Sequence, residues 1–487
     1  MIKRNFAKVI EKKHIFVQIF FNHIDMNKIF YNVLALLIMT TIHSCKTGPK
    51  SNFTGAEGEV KLITLDPGHF HAALVQKNMY AQVHPQVAVY ASDGDDLNEH
   101  LKRIEGYNSR ADHPTQWIEE VYRGDDFFAK MIAEKKGNVM VTAGNNGKKT
   151  EYIKAALDAG INVLADKPMA INVQNFELLK QAFESAAKNN VLLYDIMTER
   201  FEITTMLQRE FSQLSEVFGA LEKGTAENPA VIKESVHHFF KYVSGSTLKR
   251  PAWFYDVEQQ GEGIVDVTTH LVDLVQWGCF PEVILYPADV SIVSAKRWTT
   301  DMSKDQFTLS TAMPEYPDYL KKDVRNDSLR VYSNGEINYT LKNVHAKVVV
   351  IWNYMAPEGA GDTHYSIMRG TKASLIIRQG AEQGYAPTLY IEPAGNVDAA
   401  AFEKTLTDHL AKVQTKFPGV ELKKLETGWE VLVPQKYHNG HEAHFGQVTE
   451  RFLQYLVDGK LPDWEVPNMI TKYYTITKAL DVAKGIF

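Results

Sequence analysis

The sequence predicts an α/β fold in two parts, a doubly wound parallel sheet followed by a second α/β part built on a largely antiparallel open sheet. Three observations carry this. Short apolar runs alternate with helical spacings between residues 60 and 196, the signature of βα units feeding a parallel sheet. Beyond residue 200 the runs lengthen and alternate in polarity, as in 329–341 and 347–354. Within the first of these, Asn334-Gly335 predicts a hairpin turn.

Taken in order, 60–65 is the first strand and 71–79 the helix after it. Residues 86–91 form the second strand, followed by Asp93-Gly94-Asp95-Asp96. Strand 138–143 runs into Gly144-Asn145-Asn146-Gly147. In helix 150–159, Tyr152, Ile153, Ala156 and Leu157 share a face, and Gly160 suits its C-terminal cap. The apolar run 161–165 is a buried strand ending in Asp166-Lys167-Pro168. A helix marked by Phe176, Leu179, Phe183 and Ala186 leads to strand 191–196. The second part adds strands 347–354 and 373–378, with helices near 444–456 and 471–484. Residues 463–467 read as a connector before the last helix.

The chain has 487 residues, 45% hydrophobic and 23% charged, with a formal charge of −6. This is ordinary globular composition, large enough for two or three cores. Without a long basic run, nucleic acid is not an expected partner. The two cysteines, Cys45 and Cys279, offer no disulfide framework. Residues 29–42 form an apolar h-region behind Lys28, too short for a comfortable membrane span. It ends in Ile42-His43-Ser44-Cys45, which resembles a bacterial lipobox. The expectation is a signal segment over 1–45, with Met26 a candidate true start, a lipid on Cys45 and a flexible tether over 46–59. An uncleaved anchor or a plain signal peptide is the alternative. The lipoprotein reading puts the protein outside the cytoplasm, periplasmic or anchored to the outer membrane, with no other membrane contact.

Chemistry concentrates at strand ends, where open α/β sheets bind ligands. Lys167 stands at such an end, and the proline after it restricts it to extended backbone. The turn Asp66-Pro67-Gly68-His69-Phe70-His71 keeps one glycine, Gly68, where a dinucleotide fingerprint has three, at the positions of Asp66, Gly68 and His71. Asp93 lies 25 residues beyond Gly68, near the place of a ribose-binding carboxylate. Ser92 and Asp95 are alternatives for that role. Further on, Gly261-Glu262-Gly263 precedes Asp266 and His270, which are i, i+4 and so share one face of a helix. By itself such a pair is more often a helix-start acid and a core histidine.

An Asp-Lys-Pro after a strand, followed about a hundred residues later by Gly-x-Gly-x-x-Asp-x-x-x-His-x-x-Asp-Leu, resembles the glucose–fructose oxidoreductase / inositol dehydrogenase / rhizopine-catabolism (Gfo/Idh/MocA) family. The resemblance covers residues 60–290 well and the rest in outline. It implies a Rossmann NAD(P)-binding domain over 60–200 and a substrate and oligomerisation domain over 201–487, with Lys167, Asp266 and His270 as catalytic residues. The cofactor, NAD or NADP, would meet Gly68, His69, Phe70, Ser92, Asp93, Ala143, Gly144, Asn145, Asn146, Asp166 and Lys167. His69 and His71 face either its phosphates or the substrate. A homo-oligomer is implied by the resemblance alone.

His237, His238, Trp253 and His441 are candidate sugar contacts, with loop packing the equal alternative for the first three. The histidines at 438, 441 and 444 resemble a metal site only superficially, and no metal is assigned. In the implied reaction His270 takes a hydroxyl proton of a sugar or glycoside, C3 being the favoured position. Lys167, its pKa lowered by the cofactor's positive ring, holds the same oxygen, and Asp266 orients His270 or the substrate. Export would demand a tightly held, internally recycled cofactor. Redox-neutral glycoside hydrolysis through transient oxidation, and a non-catalytic lipid-anchored sugar-binding protein, are the competing readings.

Overall fold

In a computed structural model of the chain, which describes residues 52–243, 246–357 and 360–486, the first sheet is assembled from short strands, largely buried except at the Ile118–Arg123 edge. They are β1 (Leu62–Leu65), β2 (Gln86–Ala91), β3 (Ile118–Arg123), β4 (Val139–Thr142), β5 (Asn162–Asp166) and β6 (Leu193–Ile196). Their order is β3-β2-β1-β4-β5-β6, all parallel. The order reverses between β1 and β4, which opens a crevice at the carboxyl ends. Between the strands lie α1 (His71–Leu74), α2 (Asp95–Ser109), α3 (Phe127–Glu134), α4 (Asn146–Asp158) and α5 (Val173–Asn189). Asn145 and Asn172 cap α4 and α5, accepting from the amides of Gly147 and Asn175.

The helix expected over 71–79 stops at Leu74. The chain turns away at Gln76, whose carbonyl accepts from the Trp117 indole at 2.6 Å and whose amide donates to Glu119. Only one helical turn therefore follows the β1 loop.

After α6 (Ile203–Ser212) and β7 (Val231–Phe240) comes α7 (Thr268–Cys279). The second sheet then continues with β8 (Val290–Ser303), α8 (Lys304–Thr311), β9 (Ser328–Leu341), β10 (Val344–Met355), β11 (Thr363–Arg369), β12 (Ala373–Arg378) and β13 (Thr388–Pro393). Helix α9 (Ala399–Lys416), strands β14 (Glu421–Lys424) and β15 (Trp429–Leu432), and helices α10 (His441–Asp458) and α11 (Glu465–Lys484) complete the chain. The ten-stranded sheet runs β8-β9-β10-β7-β11-β12-β13-β15-β14, with a short strand at Val324–Arg325 beside β9. Its pairs are antiparallel except β7 with β10.

The hairpin expected at Asn334-Gly335 is absent, because both residues lie inside β9. Asn334 is buried; its amide group donates to Thr300 Oγ1 and its oxygen accepts from the Trp352 amide. Gly335 leaves room for Ile264, whose Cβ would lie 2.7 Å from an added Cβ. Opposite it, a Cβ on Gly263 would fall 1.7 Å from the Ser333 carbonyl oxygen. This glycine pair thus lets the 261–265 segment lie directly on β9. The turn is made instead by Lys342 and Asn343, both with positive φ. Residues 463–467 are no mere connector: α11 begins at Glu465, with Pro467 in its first turn, where its missing N–H costs nothing.

A buried ion network binds α7 and α11 to the first sheet. Arg200 donates twice to Asp273 at 2.7 Å and once to Glu465 at 2.8 Å. Lys472 bridges Asp195 at 2.7 Å and Asp273 at 2.8 Å, and the Tyr473 hydroxyl also donates to Asp195. Among the described residues no helix is long and apolar enough to cross a membrane. The expected signal segment, Cys45 and residues 46–51 of the tether lie outside the described residues.

Candidate active site

The residues expected to be catalytic converge, though not as i, i+4 helix neighbours. Asp166 closes β5, so Lys167 emerges at the sheet rim, joined to Pro168 by a cis peptide. Asp266 lies in the turn before α7, and His270 in that helix's first turn. Lys167 Nζ donates to Asp266 Oδ1 at 2.6 Å, the carboxylate buried and the lysine largely so. Gln260 Nε2 donates to the other Asp266 oxygen at 3.1 Å. Asp266 therefore holds Lys167 rather than His270. Burial opposes the lysine charge, but Asp266 and Asp166 outweigh it and hold its pKa above the ordinary value. These two carboxylates hold Lys167 as an ammonium.

His270 Nδ1 is buried with no hydrogen-bond partner among the described residues. Burial, then the Lys167 charge, holds this ring well below the usual imidazole range, so it is neutral and able to accept a proton. Its helix is fixed through Asp273, whose pKa Arg200 and Lys472 pull far down against burial.

A cleft of about 380 Å³ opens between the β1 turn and the end of β2. Gly68, His69, Phe70, Ser92 and Asp93 line it. Asp66 adopts φ +50, the left-handed backbone for which a fingerprint glycine is suited. Asp93 pairs with Arg123 at 2.5 Å in solvent. Trp253 lies here too, packed on its other side against the core that includes Phe239 and Trp352. Its indole donates to Asp96 Oδ2 at 2.8 Å, and its ring would lie 3.1 Å from a Cβ on Gly68. Burial, followed by the charges of Asp66 and Asp95, lifts Asp96 to about 6 against the Trp253 bond and Lys249.

The β4 turn packs against the β1 turn and the segment before α7. The Ala143 carbonyl accepts from the His69 amide, and a Cβ on Gly144 would strike the Asp66 carbonyl oxygen at 2.3 Å. Asn145 donates to the Gln259 side chain at 2.9 Å, and Asn146 to the Gln260 carbonyl at 2.7 Å. These two asparagines position the segment leading to Asp266 instead of facing the cleft.

His237 stacks on Trp352 with centroids 5.0 Å apart. Asp362 gathers His237 at 3.2 Å, His238 at 3.1 Å and Lys241 at 2.5 Å. His441, exposed at the start of α10, has its ring 5.5 Å from that of His71. An ion pair between Lys77 and Glu442 holds this helix end over the β1 loop. Of the other two histidines in that run, His438 is exposed in a loop and His444 is buried.

Sequence reasoning missed Asp362, for which no local signal exists. It also missed Lys149, which is buried and donates to the Asp166 carbonyl at 3.0 Å and to Asn146. Burial lowers this lysine to about 8. Its place four residues before Ile153, on the apolar face of α4, was the available signal.

Two family models match: "Oxidoreductase family, NAD-binding Rossmann fold" over residues 87–194, and "Putative oxidoreductase C terminal domain" over 207–484. A crystal structure of an oxidoreductase from Parabacteroides merdae is 62% identical, covers 89% of this chain and 100% of its own, and superposes with a TM-score of 0.88. A levoglucosan dehydrogenase in complex with NADH and levoglucosan shares 13% identity over 88% of this chain and 98% of its own, with a TM-score of 0.56. A 3-ketoreductase from Actinomadura kijaniata, solved with NADP, shares 12% over 88% and 97%, with a TM-score of 0.51. At such identities the last two show the fold alone. No curated protein sequence matches. Both domains and the Parabacteroides relative make this chain a member of the Gfo/Idh/MocA family of NAD-binding oxidoreductases.

Proposed function

We propose that the protein oxidises a secondary hydroxyl of a sugar or glycoside, at C3 by preference, as a lipid-anchored exported enzyme with tightly held NAD. The observation that carries the reaction is the Lys167–Asp266 pair set beside a neutral His270 whose Nδ1 has no partner among the described residues.

The cleft fits a dinucleotide. Gly68 presents bare backbone to it, and Ser92 and Asp93 stand on the opposite wall, where a ribose carboxylate belongs. Asp95 and Glu99 add to the acidic rim and disfavour a 2′-phosphate, which selects NAD over NADP. When bound, the nicotinamide supplies the two-electron acceptor. The chain's own residues do the rest. Lys167 donates a hydrogen bond to the substrate oxygen and stabilises the negative charge growing there. His270 takes the hydroxyl proton. Asp266 keeps the ammonium charged and aimed. The stacked His237 and Trp352 offer an apolar face to a sugar ring, while Asp362 fixes the histidine.

The levoglucosan and 3-ketoreductase neighbours support carbohydrate substrates at the level of fold. The lipobox-like Ser44-Cys45 supports the anchor. Exposed Val293 and Trp298 on β8 support a homo-oligomer through the second sheet. The test begins with denaturing the purified protein and weighing the released small molecules, then screening glycosides for reduction of the cofactor. Near one NAD per chain, and turnover lost in Lys167→Ala with the fold intact, is the expected result. Full turnover in Lys167→Ala would sink the mechanism. A mature N-terminus without lipid on Cys45 would sink the anchor.

A further inference from the structure

Three side chains that the proposed reaction does not use meet behind the β1 turn, and of them His69 lines the cleft. His69 and His71 come from the β1 turn, and Asp166 from the end of β5. His71 Nδ1 lies 3.0 Å, and His69 Nδ1 3.8 Å, from Asp166 Oδ2. One ligand atom from each residue falls within 4.8 Å of the other two. A zinc ion with Zn–N and Zn–O bonds of about 2.1 Å sets tetrahedral ligand atoms roughly 3.4 Å apart. Shifts of a few tenths of an ångström up to about one ångström close the set around such an ion.

The charges point the same way. Asp166 and His71 are buried. Lys167, the neighbouring cation, is engaged by Asp266, and Lys149 takes the Asp166 main-chain oxygen. Among the described residues, the Asp166 carboxylate has ion-pair partners only in the two imidazoles. A buried carboxylate set against two imidazoles is a donor set that a divalent ion completes. The claim on His69 Nδ1 is slight, a 3.4 Å contact from the His71 amide. The His69 amide, bonded to Ala143, and the Lys149 bond to the Asp166 carbonyl fix both limbs of the set from behind.

We propose that His69, His71 and Asp166 form a binding site for a first-row divalent transition ion, zinc being the best match, with an open coordination position toward the cleft beside Lys167. Two imidazoles and one carboxylate suit such ions and leave positions free. His441 is the next imidazole, across from His71. The exposed His438 is outside the set. On the reading proposed above, the open position would take a sugar hydroxyl oxygen, but metal binding itself does not depend on that reading.

The test needs neither sugar nor cofactor. The full protein is stripped with a chelator, loaded with ZnCl2, desalted and assayed for metal, and titrated calorimetrically. Cobalt(II) loading adds a visible spectrum that reports the ligand geometry. The expected result is one zinc per chain, retained in His438→Ala. His71→Ala and Asp166→Asn should weaken binding by more than the roughly 100-fold typical of outer-shell positions. His69→Gln, a milder change, should weaken it too while circular dichroism shows an unaltered fold. No zinc retained by the parent protein, or equal retention in all four variants, overturns the site. Either failure leaves the Lys167 mechanism standing, because glycoside turnover is scored separately.

Discussion

Lys472→Met tests what holds the catalytic helix in place. The substitution keeps the side chain's length and removes its charge from a fully buried position. Asp273 remains paired with Arg200, but Asp195 is left with only the Tyr473 hydroxyl at 2.9 Å. Removing one partner of a buried ion pair costs about 3–5 kcal/mol. A mid-range value of ~4 kcal/mol, spread over about 430 cooperative residues at ~2.1 cal/mol/K each, lowers Tm by roughly 4 °C. Calorimetry or urea titration reads this directly. Asp195→Asn in the Lys472→Met background removes the stranded charge and should recover most of the loss. Because α7 carries both Asp273 and His270, kcat should fall in Lys472→Met and return in the double variant. A single variant as stable as the parent, or a double variant no better than the single, refutes the reasoning.

Three further outcomes are expected. In Gly263→Ala the added Cβ collides with the Ser333 carbonyl oxygen, so stability should drop by about 3 kcal/mol or more, seen as insolubility or an early melt. His270→Gln should reduce turnover by roughly 100-fold or more while NAD affinity, read by protein fluorescence, stays unchanged. Asp96, lifted to about 6 by burial and by Asp66 and Asp95, gains its charge as pH rises through that value, beside a cleft that must accept a diphosphate. NAD affinity should therefore fall as pH rises from 5 to 7, about the working range of such a group. Asp96→Asn should flatten that profile, and an unchanged slope would remove Asp96 from the cofactor wall.

The parallel sheet was legible in the sequence because its strands are buried on both faces and stand out as apolar runs. β2 and β12 fall where the runs place them. β3 was overlooked because Ile118–Arg123 is an edge strand of mostly polar residues without such a run. Asn334-Gly335 misled for a different reason. The dipeptide has the local chemistry of a turn, but Asn334 serves as a buried cross-strand linker and Gly335 as a gap for Ile264. Neither role can be read without the neighbouring strands. Asp266 stands beside Lys167, while the sequence left open whether it orients His270 or the substrate. Helical spacing suggested His270, whereas the chain unwinds into a turn at Asp266 and delivers the carboxylate to the lysine instead.

The departures from the dinucleotide fingerprint become coherent once folded. Position by position, Asp66 and His71 stand where two fingerprint glycines are expected. In space, Asp66 keeps the left-handed backbone of the glycine it stands for, so the turn retains its shape. With the turn's shape kept, His69 and His71 reach Asp166, although 95 residues separate His71 from that carboxylate. The helix that would cradle the pyrophosphate is cut to one turn at the same place. Random decay would scatter such changes and leave unmatched polar groups in the core. Here the shortened helix, the left-handed Asp66 and the imidazole–carboxylate cluster occupy one corner and fit one another, as the proposed metal site requires. The cofactor must then be held mainly through the β2 wall and Trp253-covered Gly68. Substitutions at Ser92 and Asp93 should weaken NAD more than substitutions at His69 or His71.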